Sequence, residues 1–402
     1  MIHSFSCKNF YSFKDENILN FVVNNKAPKN NSYTNSSLGN RISKVETVIG
    51  ANASGKTNLL KVLPFLKWLI VDSFNMSPDA HILVQPFLFG DSKKQPTELS
   101  VVFEINNKVY TYYFLMNKER ILKEELKLTS FGKKKQTTKK LFSRSWSDKN
   151  NSYCLSKDNF KLPKGFKKFL RTNSSIIASA SRFNHIESQE IMKYWKNIET
   201  NVIEAGWVGD CLLPNSLNQL IDAFNFFNDN DDLKKEAEKL LHRFDLGLDG
   251  FEIKKEKKEN GFLLQVKATH LFEGEKQYLP MYYESSGTKQ SLVLLKNILS
   301  ALKNGSIAIL DEFECNLHPE MIVALYDLFI QKETNPNNAQ LLMSTHSHMI
   351  LNKLDKYQIV FVEKNKDSIS ETWRLSEVVG SRTDDNYYNK YISGTYGAVP
   401  KI

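Results

Sequence analysis

Cysteine is scarce and scattered in this chain. The four thiols, Cys7, Cys154, Cys211 and Cys315, lie far apart and form no C-x-x-C pair. That argues against a disulfide framework or a zinc ribbon and fits a reducing compartment. No run approaches the ~18 uninterrupted apolar residues of a membrane helix. The opening M-I-H-S-F-S-C-K-N-F has neither a charged leader nor an apolar core, so no export signal is expected. Internal repeats are lacking, and no segment sustains heptads long enough for an extended coiled coil. A cytoplasmic, soluble protein is expected. Its 402 residues, 41% of them hydrophobic, leave room for two domains or for one large domain with an insertion.

Acidic residues are short in one region. The net charge of +9 is uneven, and between Lys118 and Arg171 basic residues outnumber acidic ones roughly three to one. Two readings stand: a solvated basic surface, or a face for a nucleic acid backbone, where each lysine near a phosphate releases a counterion. Phe166 and Phe169 interleave with that charge, and their spacing of three reads as the core face of a helix rather than a stacking platform.

Strand patterns dominate the first part of the chain. Residues 2–15 alternate apolar and polar, and I-L-N-F-V-V after them reads as an antiparallel partner. Asn24 to Asn40 is rich in Asn, Ser and Lys and reads as an exposed loop. Three further strands are expected within E-L-S-V-V-F-E-I, K-V-Y-T-Y-Y-F-L-M and I-L-K-E-E-L-K-L. The middle, about 150–250, carries apolar residues at three- and four-residue spacing and reads as helical. From about 251, strands alternate with helices, which indicates a βαβ sheet.

Four short stretches carry chemistry. G-A-N-A-S-G-K-T fits G-x-x-x-x-G-K-[ST] from Gly50 to Thr57, between an apolar strand and a leucine-rich helix. Such a loop turns the N–H groups of Gly50, Ala51, Asn52, Ala53, Ser54 and Gly55 toward phosphate oxygens. Lys56 would reach the β and γ phosphates and Thr57 would offer its hydroxyl to Mg²⁺, with Asn58 next in the helix. S-I-A-I-L-D-E-F-E at 306–314 ends a buried strand in two carboxylates. Alone this is a strand exit as readily as a site. Beside the glycine loop, Asp311 would hold Mg²⁺ and Glu312 would polarise the attacking water. Y-E-S-S-G-T-K-Q-S-L at 283–292 puts Ser286 and Gly287 at a helix start, either as an ordinary cap or as an anion site for a second copy's nucleotide. L-L-M-S-T-H-S-H-M-I ends a strand at Thr345 and His346, where an imidazole can bond a γ-phosphate. His348 reads as structural, and the pair lacks a third ligand for a metal.

In this order the four elements resemble the ABC-type ATPases of the SMC, RecF and OLD-nuclease superfamily. K-N-F-Y-S-F-K-D is similar to that group's first strand. The closer likeness is to stand-alone prokaryotic defence ATPases of the RloA and AbiLi type, carried by G-A-N-A-S-G-K-T-N-L-L, Q-P-F at 85–87, P-T-E-L-S-V-V-F-E-I, E-S-S-G-T-K, L-D-E-F-E-x-x-L-H-P and Y-I-S-G-T-Y-G-A-V-P. It spans both ends of the chain and fades over about 140–250. The resemblance implies an α/β fold: an ABC-type head with a mixed β-sheet around the glycine loop, plus a mainly helical middle insertion. Its boundaries would be 1–140 for the N-terminal half of the head, 141–250 for the insertion and 251–402 for the C-terminal half.

By the same resemblance ATP and Mg²⁺ are the cofactors. Lys56 and Thr57 are the Walker A contacts, Asp311 the magnesium carboxylate and Glu312 the catalytic base. Ser286 and Gly287 are the signature made in trans, His346 is the switch histidine, and Gln85 joins Mg²⁺ to the attacking water. Asn316, Leu317 and His318 occupy the D-loop region. About 55 residues follow His346, too few for the ~100 typical of an added domain, so a TOPRIM nuclease is not expected. The implied function is an ATPase that forms a homodimer or higher homo-oligomer on ATP and controls a separately encoded effector, a TOPRIM-like or other nuclease, in anti-phage defence. Two alternatives are a RecF-like DNA-repair ATPase gripping DNA through 118–171 and an ATP-dependent assembly scaffold. A simple P-loop kinase would leave 285–290 unexplained.

Overall fold

The computed structural model describes residues 1–131, 136–157, 159–202, 215–244, 247–258, 261–314 and 317–400. Cys211, Cys315, Asn316 and the lysines at 133–135 lie outside these residues.

A six-stranded sheet organises the molecule. Its order is Glu199–Thr200, Ile307–Leu310, Gln340–Ser344, Val45–Ile49, Ile359–Lys364 and Ser370–Arg374. The first five strands run parallel and the last is antiparallel. Val45–Ile49, Ile307–Leu310 and Gln340–Ser344 are buried at every residue, as parallel strands covered on both faces must be. Side chains along them alternate between two cores. Val48, Ile307, Ile309, Leu342, Val360 and Val362 enter one core with the helix Val62–Val71 and an antiparallel sheet. Val45, Ile49, Ala308, Leu310, Leu341, Met343, Ile359 and Phe361 enter the other, with the C-terminal helices.

The antiparallel sheet has seven strands, ordered Ser152–Ser156, Gln136–Ser147, Ile121–Phe131, Lys108–Met116, Thr97–Ile105, Ile2–Lys8 and Asn17–Asn20. The α/β class is as expected, and the early strand pairs fall where the alternation puts them. Two sequence readings change. The stretch from 141, expected to be helical, opens on strands: Gln136–Ser147 and Ser152–Ser156 extend this sheet, and helices begin at Ile176–Ser181. Lysines on the exposed side of the Gln136–Ser147 strand mask its period. The Asn24–Asn40 stretch includes a short strand, Tyr33–Asn35, and buries Ala27 and Tyr33 against Tyr357.

Two of the basic residues counted in the basic region are bonded to the protein itself, and one of them is buried. Arg144 Nε lies 2.7 Å from Glu124 Oε2 with both side chains fully buried, and Glu124 Oε1 accepts the Ile176 N–H at 2.8 Å. Arg171 donates to the carbonyls of Phe74 and Met76. These bonds fasten the Ile176–Ser181 helix and the 73–77 turn to the sheet.

A third sheet, Gly250–Lys258, Gly261–Phe272 and Glu275–Pro280, leads into the helix Ser286–Asn304. Its last strand is exposed at every residue.

Candidate functional site

The glycine loop leaves the centre of the parallel sheet. A Cβ on Gly50 would stand 2.1 Å from the Val362 carbonyl oxygen of the neighbouring strand, so only glycine passes there. Gly55 caps the Lys56–Leu60 helix at φ +115°, and a Cβ there would meet Ser370 Oγ at 2.4 Å. The loop is braced from behind. Ser370 Oγ donates to the Ser54 carbonyl at 2.6 Å and lies 2.8 Å from Ser12 Oγ, which also accepts from Asn58 Nδ2 at 2.9 Å. Ala51 is half-buried, and Asn52 and Ala53 are exposed at the tip.

Lys56 is buried, with its ammonium donating to the Gly50 carbonyl at 2.9 Å and the Ala51 carbonyl at 3.0 Å. Burial pulls its pKa below the ordinary lysine value, and the charges of Asp311, Glu314 and Glu312 oppose that shift. One cation therefore faces three carboxylates across the loop.

The acidic end is held by two residues that the sequence reading missed. Asn201 Oδ1 accepts the Asp311 N–H at 2.7 Å, and Asn201 Nδ2 returns a bond to the Asp311 carbonyl at 3.0 Å. Ser344 donates its hydroxyl to the Asp311 carboxylate and accepts the Glu312 N–H at 2.9 Å. Glu312 adopts φ +47° and is exposed, with buried Phe313 anchoring the turn behind it. Glu314 accepts the His346 N–H. His346 is half-buried beside this loop. His348 faces Tyr391 with ring centroids 4.8 Å apart, and burial lowers its pKa.

The serine–glycine stretch starts the helix Ser286–Asn304 as expected, but its cap is the preceding serine. Ser285 is the cap, accepting the Thr288 N–H at 3.0 Å from an extended backbone, and Ser286 and Gly287 form the first turn. With two adjacent serines, the register is fixed by Thr288, whose hydroxyl also lies 2.9 Å from Ser285 Oγ. Ser286 lines a cavity of ≈ 1030 Å³ together with Thr57, Asp311 and Glu312, walled on its apolar side by Phe224 and Leu294. Leu317 also lines it, while His318 caps the helix Pro319–Ile330.

Gln85 stands elsewhere. Its carbonyl accepts the Tyr11 N–H at 2.8 Å, and it lines a second cavity of ≈ 900 Å³ with Tyr11, Ser12, Asn58 and Lys364. The two cavities flank the glycine-loop helix, with Thr57 facing one and Asn58 the other. Among the described residues no three His, Cys, Asp or Glu side chains cluster as a metal cage. A hydroxyl and a carboxylate in one cavity, Thr57 and Asp311, suit Mg²⁺, which keeps waters and takes its remaining ligands from substrate phosphates.

Residues 47–352 match the family described as "AAA domain, putative AbiEii toxin, Type IV TA system". The chain belongs to that family. Nucleotide binding and hydrolysis are the chemistry of an AAA domain, and the glycine loop and carboxylates above are the groups such chemistry requires. No curated protein matches the chain. Among solved structures it is similar to the SMC head domain from Thermotoga maritima, at 13% identity and a TM-score of 0.40, over 93% of this chain and 98% of that one. No helix among the described residues is long and apolar enough to cross a membrane.

Proposed function

We propose that this AAA-family chain is an ABC-type ATPase that pairs head-to-tail on ATP and regulates a separately encoded effector in anti-phage defence, as the RloA and AbiLi likeness implies. The observation that carries the reading is the exposed aromatic surface just before Ser286, beside the space lined by Thr57, Asp311 and Glu312. Exposed tyrosines stand just before that cap. Tyr282 and Tyr283 are 81% and 69% exposed, and Leu271, Phe272 and Tyr278 stand open on the adjoining hairpin. A surface of this kind favours a protein partner, and a second copy would bury it as ATP closes the pair.

In this mechanism Lys56 exchanges the Gly50 and Ala51 carbonyls for phosphate oxygens. Mg²⁺, held by Thr57 and Asp311, would neutralise phosphate charge. Ser344 and Asn201 keep the Asp311 turn in place, and Glu312 takes the proton of the attacking water. Glu314 ties the His346 backbone to that turn, so loss of the γ-phosphate is felt along both strand ends. The family's description as a putative toxin of a type IV toxin–antitoxin system supports a setting in which such a switch controls growth or defence.

The test mixes two inactive variants, Lys56→Ala and Ser286→Arg. A cap acting in trans gives the mixed pair one site with both groups intact, so activity returns on mixing. A cap acting within its own chain gives none, and the head-to-tail proposal falls.

A further inference from the structure

Lysines and open aromatic rings meet on a face far along the chain from the glycine loop. From Asn159 to Ile186 the sequence has six basic residues and no carboxylate. Phe166 is buried, as its spacing predicts, but Phe169 is 50% exposed and Phe183 38% exposed. These two rings pack against each other with centroids 4.8 Å apart, and buried Phe166 supports Phe183 edge-on at 5.8 Å. Phe169 therefore belongs to a surface platform, which its three-residue spacing from Phe166 does not suggest. The segment is a short 3-10 turn, Phe166–Phe169, instead of an amphipathic helix, and so turns its two rings to different environments.

Exposed cations border the platform. Lys167 and Lys168 precede Phe169, Lys164 opens the same turn, and Arg182 adjoins Phe183. Among the described residues none of these three lysines has a carboxylate partner. Arg182 is fixed by its bond to Asn75 Oδ1 and Arg171 stacks over Phe74 at 3.8 Å. The platform is thereby joined to the Ser73–Asn75 turn, which ends the helix Val62–Val71 that follows the glycine loop.

We propose that this face binds single-stranded nucleic acid, with bases stacked on Phe169 and Phe183 and the backbone on Lys164, Lys167, Lys168 and Arg182. Charge complementarity points to a polyanion, and the rings choose among polyanions. A duplex hides its base faces, so it would use the lysines and leave the rings idle. An acidic protein offers carboxylates without flat partners. Rings packed against each other and half covered also project too little to wedge into a bilayer, which takes apolar side chains to a depth of ~5–10 Å. Unpaired bases match both features, because every base has a face to stack and every nucleotide a phosphate.

The experiment is fluorescence anisotropy of the whole chain with labelled 30-mer oligo(dT), without nucleotide, from 50 to 200 mM salt. Neutralising about four phosphates predicts a log–log salt slope near −3 and a loss of roughly 50-fold over that range. Phe169→Ala should weaken binding about 5–150-fold and leave the slope alone. Lys167→Gln with Lys168→Gln should reduce the slope by about 1.4. All three residues are exposed, and a thermal melt checks that the variants fold. The proposal is overturned by no binding at 50 mM salt, by binding indifferent to Phe169→Ala, or by a 30-bp duplex binding as tightly as the single strand. Equal competition by poly-glutamate, or binding to phosphatidylserine vesicles in place of oligo(dT), overturns it as well. Because no step needs ATP, failure here leaves the paired-ATPase reading untouched, and the reverse holds too.

Discussion

Ser344 holds Asp311 and its neighbour at once: its hydroxyl donates to the Asp311 carboxylate and accepts the Glu312 backbone N–H at 2.9 Å. The serine ends the strand next to the one that Asp311 follows, and the Glu312 turn at φ +47° rests on that bond. Removing the hydroxyl leaves a backbone donor without its acceptor, a cost of ~1–3 kcal/mol when buried. Ser344→Ala should lower ATP turnover at least ~10-fold, in proportion to that lost alignment, with nucleotide affinity changed less than about threefold. Steady-state hydrolysis beside a nucleotide titration separates the two. Equal losses in both would mean that the serine supports the glycine loop instead of the acidic turn.

Lys56 and Glu312 should fail in opposite ways. The lysine ammonium already lies among the Gly50 and Ala51 carbonyls, where phosphate oxygens would draw it. Lys56→Ala should cut nucleotide affinity by ~100-fold or more, since a charge-assisted contact to phosphate disappears. Glu312→Gln keeps the contacts of the loop and removes the proton acceptor, so binding persists and turnover drops by ~100-fold or more. Sizing with ATP should then show the glutamine variant as a lasting pair and the alanine variant as a monomer. Two identical monomers would remove ATP from the pairing step.

Much of this site was legible because its signals are local. The glycine spacing, the apolar strand before it and the strand ending in Asp311 and Glu312 all fall within a few residues, and alternation located the early strands. The supports were not legible, because each acts across a long separation. Ser370 meets the Ser54 carbonyl 316 residues away, and Asn201 meets Asp311 across 110. Asn201 was the harder to see, because Glu199–Thr200 contributes only two residues to the parallel sheet. So short a strand carries no period to read. The choice between Ser285 and Ser286 likewise depends on a bond from Thr288 that spacing alone leaves ambiguous.

Gly50 gives a test of the loop that needs no ligand. Its absent Cβ would fall 2.1 Å from the Val362 backbone oxygen, and that strand cannot yield without parting from Val45–Ile49. Gly50→Ala should cost more than ~2 kcal/mol of stability, in the range of strained or overpacked buried positions. Gly39, with φ +80° and nothing within 4 Å, is the control. Its alanine variant faces only the left-handed backbone, worth about 1 kcal/mol. Urea denaturation of both should separate them. Equal midpoints would mean that the loop shifts freely to admit a side chain.

Glu104 should govern part of the acid response. Burial alone would raise its pKa, but hydrogen bonds from His3 and from Ser37 outweigh burial and bring it down to about 2. Its oxygens lie 2.9 Å from His3 Nε2 and 3.0 Å from the Ser37 N–H, with the residue only 8% exposed. A carboxyl whose folded pKa is depressed stabilises the fold above its unfolded value near 4.5, and that stability drains away as pH falls toward 2. The full contribution is on the order of 2 kcal/mol. Glu104→Gln cannot ionise, so its stability should be lower than wild type at pH 7, and the gap should close between pH 4.5 and 2. Urea unfolding at pH 7, 4.5 and 2.5 measures it. A gap that stayed constant over those three values would show that the carboxylate's charge is not what holds the Ile2–Lys8 and Thr97–Ile105 strands to the Ser37 turn.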